Sequence, residues 1–212
     1  MSKIKLAIFD VDGVVIDSFS GIVAATNKTL KRFGGQEISE EEFRNTQIGS
    51  YELFMFSRGI PATVNWQEIS DDLDGHLNEP EIYKERPGIR AVFDFLKEKG
   101  IAIYLVSAVN KRVTTNKINY QEGLADYITD TFGGEEKGEI IGKLLTDLNI
   151  SPAEALFVSD MERDFIHVNP LGLAHNIAIV SQFSAVERLR PEADHLVFDH
   201  QELLSLLQNI LT

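Results

Sequence analysis

The sequence predicts an α/β protein, a doubly wound parallel sheet with an inserted all-helical domain, and three observations carry that prediction. Short apolar runs at Leu6-Ala7-Ile8-Phe9, Ile101 to Val106, Ala155 to Val158, Ile177 to Val180 and His195 to Phe198 alternate with segments of helical periodicity. That alternation is the rhythm of a parallel sheet covered on both faces. Between residues 18 and 83 the periodicity is helical only, which marks an insertion and divides the chain into a core of 1–17 with 84–212 and a helical domain of 18–83. Finally, polar residues with chemical capacity stand directly after the apolar runs: Asp10 and Asp12, Ser107, and Asp160. Open α/β sheets place their ligands beyond the carboxyl ends of strands.

The chain of 212 residues is long enough for one sizeable core and a small accessory domain. No apolar run approaches the roughly 18 residues of a membrane span, and the run before Asp10 is too short for a signal peptide, so a cytoplasmic location is expected. The absence of cysteine excludes disulfides and thiolate metal sites. A net charge of −13 disfavours a nucleic-acid interface or an anionic membrane surface as partner. A small phosphorylated metabolite stays compatible, because charges beyond about 10 Å are screened while a bound cation acts locally.

In chain order, Leu6 to Phe9 has strand length, and Gly13 frees the backbone for a sharp turn after Asp10 and Asp12. Ser20 to Phe33 reads as a helix through Ile22, Val23, Leu30 and Phe33, stopped by Gly34-Gly35. Ser39 with Glu42 has the spacing of a capping box before Phe43, Tyr51 to Phe56 is apolar up to Arg58-Gly59-Ile60-Pro61, and Val64 to Leu77 reads as another helix. Arg86-Pro87-Gly88 opens a helix to Lys99 with Val92, Phe95 and Leu96 on one face. The strand Ile101 to Val106 follows, then a helix near Val113 to Glu122, a short segment Tyr127 to Thr129, the pair Gly133-Gly134 and a helix from Glu139 to Leu148. The strand Ala155 to Val158 precedes the last two strands, and a helix from Gln201 to Leu211 closes the chain.

Parallel strands align their ends, so Asp10, Asp12, Ser107, Asp160 and Asp164 are expected along one edge, joined by Lys137 from the start of a helix. Together these residues have the makings of a phosphoryl-transfer site: nucleophile, acid/base, hydroxyl donor, cation and metal-binding pair. Carboxylates of Asp10, Asp160 and Asp164 within about 4 Å of one another would repel by about 4 kcal/mol per ionised pair at an effective dielectric near 20. A hard divalent cation removes that penalty, and an all-oxygen site favours Mg²⁺ over zinc.

This arrangement resembles the haloacid dehalogenase superfamily, and within it the phosphatases with a helical cap inserted after the first strand. The resemblance rests on Asp10-Val11-Asp12-Gly13 after a strand, then Ser107, Lys137 and Asp160-Met161-Glu162-Arg163-Asp164 in the order and spacing of the later motifs. It implies that Asp10 attacks phosphorus to form an aspartyl phosphate and that Asp12 protonates the leaving alcohol and then activates water. It also implies that Ser107, the adjoining Ala108 and Lys137 bind the phosphoryl group. The metal, Mg²⁺, would be held by the Asp10 carboxylate, the Asp12 backbone carbonyl and Asp160, with Asp164 a ligand through water or a partner of Lys137.

Within the superfamily, an acid at Asp12 favours phosphoryl chemistry over dehalogenation. Ala25 to Gly34, and Arg44 followed by Ile48-Gly49, resemble the cap of phosphoglycolate-phosphatase-like enzymes. Ile22 stands where the phosphoglucomutase branch carries a histidine. The chain departs from the family at Ala108, Ser159 and Met161, which keeps a catalytically weak or silent phosphate-binding protein as the alternative reading, ahead of a mutase or a phosphonatase. The five histidines show no metal-ligand spacing, and Phe54, Met55, Phe56 and Trp66 read as core of the helical domain. Arg44 and Arg58 are candidates for a second anionic group of the substrate.

Overall fold

The structure is a computed structural model and describes residues 3–46, 50–79, 83–134 and 136–211. The chain divides into two compact units, Met1–Asp17 with Lys84–Thr212, and Ser18–Tyr83. The larger unit is built on a six-stranded parallel sheet. Its strands are β1 (Leu6–Phe9), β4 (Ala102–Ser107), β5 (Asp130–Gly133), β6 (Ala155–Ser159), β7 (His175–Ile179) and β8 (His195–Val197), in the order β5-β4-β1-β6-β7-β8. The two remaining strands, β2 (Ile16–Asp17) and β3 (Lys84–Glu85), form a short antiparallel ladder where the chain leaves and re-enters this unit.

Strand β1 sits between β4 and β6, with Phe9 opposite Leu105 on one side and Val158 on the other. That register brings Asp10, Ser107 and Asp160 to the same edge, because all three follow or end adjacent parallel strands. Both faces of the sheet are apolar, as crossover helices require. One face, carrying Leu6, Ile8, Tyr104, Val106 and Phe157, packs against Ile141, Leu144 and Leu145 of α7 (Lys137–Asp147) and Phe165 and Val168 of α8 (Glu162–Val168). Toward the other, Phe93 of α5 (Ile89–Glu98) meets the Phe9 ring edge-on at 5.2 Å, and α10 (His200–Ile210) lies against α5.

Two expectations need correction. The short segment expected at Tyr127 to Thr129 is a turn of 3-10 helix at Ala125–Tyr127, and the edge strand lies later, at Asp130–Gly133. Pairing decides this: Leu105 and Val106 of β4 take Thr131 and Phe132 as partners. Gly133 pairs with Ser107 at the end of the strand, and the 109–111 backbone crosses there so closely that a methyl group would collide with it. The helix after β4, α6, spans Lys111–Asn119 rather than Val113 to Glu122, since the Asn110 side chain caps it by accepting from the Val113 N–H at 3.0 Å. A further short helix, α9 (Val186–Leu189), follows β7 where the sequence shows no helical pattern.

The smaller unit holds four helices, α1 (Phe19–Arg32), α2 (Glu40–Asn45), α3 (Tyr51–Ser57) and α4 (Trp66–Leu77). α1 packs along α4, and Phe19, Phe43 and Phe54 form a chain of edge-to-face rings with centroids 5.9 and 6.1 Å apart. Ser39 and Glu42 make the reciprocal capping box that the sequence predicts. The Asn27 side chain pairs with both backbone groups of Ile38 at 2.8 Å, and Arg58 donates to the carbonyls of Gln36 and Glu37. Arg44 places its guanidinium 5.3 Å from the centre of the Phe19 ring. Ile48-Gly49 lie outside the described residues.

Candidate active site

Beyond β1 the chain turns at once. The Val11 carbonyl accepts the N–H groups of Val15 and Ile16 at 2.9 Å, and Gly13 takes φ +77°, a conformation open to glycine at little cost. A methyl group at Gly13 would also collide with the Asp160 carboxylate, so the glycine lets the β1 loop and the end of β6 approach each other. Arg86 ties the same loop down by donating to the carbonyls of Gly13 and Val180.

Asp10, Lys137, Asp160 and Asp164 form a buried charged cluster at this edge. Lys137, the first residue of α7, puts Nζ 2.8 Å from Asp10 Oδ1 and 2.6 Å from Asp164 Oδ2. Asp10 Oδ1 also accepts from the Val11 N–H at 2.7 Å, while the described residues place no hydrogen bond on Oδ2. Burial pushes the Asp10 carboxyl up to about 6, with Lys137 pulling it down and Asp164 pushing it further up. Burial works against the Lys137 ammonium, but Asp10 and Asp164 together more than offset it and hold its pKa above the usual lysine value.

Asp160 is fully buried, and burial followed by the charge of Asp10 raises its carboxyl well above the usual range. Its Oδ2 accepts from the Ser181 hydroxyl, whereas its Oδ1 is buried with no hydrogen-bond partner among the described residues. Three buried carboxylates facing one ammonium, with one orphaned carboxylate oxygen, fit a hard divalent cation. The Asp10 carboxylate, Asp160 Oδ1 and the Asp12 carbonyl are the groups that would hold it. Asp164 has its Oδ2 engaged twice, by Lys137 and by the Ser159 hydroxyl at 2.6 Å, the arrangement of a partner that steadies the lysine.

Ser107 ends β4, buried, with its hydroxyl 3.5 Å from Asp12 Oδ2 and accepting from the Val109 N–H at 3.3 Å. Ala108 begins the loop to α6. The Asp12 carboxylate is paired with a residue that the motifs do not include: Lys117 Nζ lies 2.6 and 2.9 Å from its two oxygens. Ser159, Ser181 and Lys117 are thus the members that sequence reasoning missed. Only Lys117 left a signal, since it falls on the stripe Val113, Thr114, Lys117, Ile118 that α6 buries. Arg44 and Arg58 belong to the helical unit, where Arg58 is committed to the carbonyls of Gln36 and Glu37 in the segment after α1.

Acids, a hydroxyl and a lysine thus converge beyond the central strands of a parallel sheet. The chain belongs to the haloacid dehalogenase-like hydrolases, whose family model matches residues 4–166. It is 25% identical over 190 residues to the phosphoglycolate phosphatase of Vibrio vulnificus strain YJ016, covering 81% of this chain and 82% of that protein. It is 29% identical over 168 residues to the phosphoglycolate phosphatase of Aquifex aeolicus, covering 76% and 78%. Among solved structures, a predicted phosphatase from Clostridium acetobutylicum superposes with a TM-score of 0.83 at 20% identity over 98% of this chain and 100% of that one. That likeness establishes the shared fold. Among the described residues no helix is long and apolar enough to cross a membrane.

Proposed function

We propose that this hydrolase is a Mg²⁺-dependent phosphatase that cleaves a small phosphomonoester through an aspartyl phosphate on Asp10. The observation that carries the reading is the state of the Asp10 carboxylate. Lys137 and the Val11 N–H hold Oδ1, so the side chain is oriented and Oδ2 is left to meet phosphorus. Attack by that oxygen forms the Asp10–phosphorus bond and breaks the bond from phosphorus to the ester oxygen. The electron pair goes to that oxygen, which takes a proton from Asp12 and departs as the alcohol. Water then attacks the same phosphorus and gives its proton to Asp12, and the bond to Asp10 breaks to release phosphate and restore the free carboxylate. Ser107 donates to the phosphoryl oxygens and Lys137 offsets their charge. A bound Mg²⁺ supplies the remaining compensation for negative charge shared between the carboxylates and the phosphoryl group. The helical unit, 18–83, is read as the cap that selects the substrate, with Arg44 as its candidate anion contact.

The names of the relatives, phosphoglycolate phosphatases among them, support the class of substrate. The test is phosphate release from a panel of small phosphomonoesters with Mg²⁺ and with EDTA, by wild type and Asp10→Asn. Turnover that needs the metal and vanishes in the variant is expected, because a neutral amide is a poor nucleophile. Phosphate release by Asp10→Asn at the wild-type rate would overturn the assignment.

A further inference from the structure

We propose that Lys117 is the positioning residue for Asp12, holding its carboxylate in the orientation from which it serves the leaving oxygen. The inference rests on the reading of Asp12 as acid and base.

Helix α6 buries Val113, Thr114, Lys117 and Ile118, a stripe in which an apolar residue would ordinarily stand at position 117. Lys117 is fully buried, and its Nζ meets both oxygens of Asp12, at 2.6 and 2.9 Å. Taking an ammonium out of water costs several kcal/mol even when it is paired, so packing alone favours leucine or methionine at this position. What the lysine adds is geometric. A single nitrogen bound to both carboxylate oxygens restrains both side-chain torsions of Asp12, whose other hydrogen bond among the described residues is to the Ser107 hydroxyl, 3.5 Å away on the sheet side.

Exposure separates the two roles. The Asp12 side chain keeps 16% of its surface open while that of Lys117 has none. A substrate can therefore reach the carboxylate but not the ammonium, so Lys117 acts on the reaction through Asp12. Misplacing a reacting group by an ångström costs up to about 100-fold in rate. That cost falls on whichever step needs the proton.

The experiment compares kcat/KM, which reports the steps up to departure of the leaving group, for two esters: an alkyl phosphomonoester from the wild-type panel, and 2,4-dinitrophenyl phosphate, whose leaving group needs no proton. Lys117→Met, which keeps length and apolar packing, is expected to lower the alkyl value by about 10- to 100-fold and the dinitrophenyl value by no more than about 3-fold. Lys117→Gln provides a second, polar replacement should the methionine variant fold poorly, with the same split expected. In an Asp12→Asn background, Lys117→Met should change the alkyl value by less than about 2-fold, since its route of action is gone. Equal losses on both esters, or no loss on the alkyl ester, would overturn the inference while leaving the phosphatase reading standing. Wild-type protein that hydrolyses neither ester would overturn both.

Discussion

Replacing Asp160 by asparagine should stabilise the metal-free protein and abolish its response to Mg²⁺. Asp160 is fully buried, shares its site with Asp10 and Asp164, and has one oxygen without a hydrogen bond among the described residues. Its folded-state pKa lies above the unfolded value, so its favourable contribution is present below about pH 4 and is lost as pH rises through the folded value. At pH 7.5, where the unfolded chain has lost this proton, placing the residue in its buried site works against folding unless a cation is bound. Like charges about 4 Å apart at an effective dielectric near 20 repel by about 4 kcal/mol, and Lys137 cancels part of this, which leaves a net penalty of about 1–3 kcal/mol. For a chain of this size each kcal/mol moves the melting temperature by about 2–4 °C, so Asp160→Asn should melt about 2–12 °C higher in EDTA. Wild type with Mg²⁺ at a hundred times its Kd should gain about 2.7 kcal/mol, and the variant close to nothing. Thermal melts of both proteins in EDTA and across a Mg²⁺ titration measure all four values. A variant that melts below wild type in EDTA, or that gains as much as wild type from Mg²⁺, would refute the account of this cluster.

Lys137→Met should have the opposite sign in EDTA, since it leaves Asp10 and Asp164 buried without their shared ammonium, at a cost of about 3–5 kcal/mol. The loss should be larger at pH 8 than at pH 5, where Asp10 can take up a proton, and urea unfolding at both pH values checks it. His200 carries a separate pH effect: burial, aided by the Arg86 charge, lowers its pKa to about 4, and its Nε2 makes no hydrogen bond among the described residues. The unfolded chain binds this proton near pH 6.5 and the folded chain does not, so the His200 contribution is intact above that value and falls away down to about pH 4. The loss should total about 3 kcal/mol, and the stability difference between wild type and His200→Gln across that range should carry it. A difference independent of pH would show that His200 titrates alike in both states.

Much of the core could be read from the chain because its signals are local. An apolar run of strand length, a polar residue directly after it and a helical pattern before the next run are properties of consecutive residues. The parallel sheet follows from their alternation. Asp10, Ser107 and Asp160 could be named together because parallel strands carry their ends to one edge whatever the details of packing. The start of α7 at Lys137 and the capping box of α2 are likewise short-range facts.

Tertiary structure alone decided the matters that depend on which strand is neighbour to which segment. The edge strand settled on Asp130–Gly133, a stretch with no strand pattern of its own, because β4 offered Thr131 and Phe132 a register. Ser159 and Ser181 became partners of Asp164 and Asp160 only once β6, α8 and the segment after β7 had converged. Lys117 is the sharpest case. Its place on the stripe of Val113, Thr114 and Ile118 hints at an inward position, but only the packing of α6 beside the β1 loop gives it Asp12 as partner. Residue type and order therefore determined the fold class and the reactive set, while burial and long-range pairing, which no short window of sequence contains, determined which charges each reactive group must live beside.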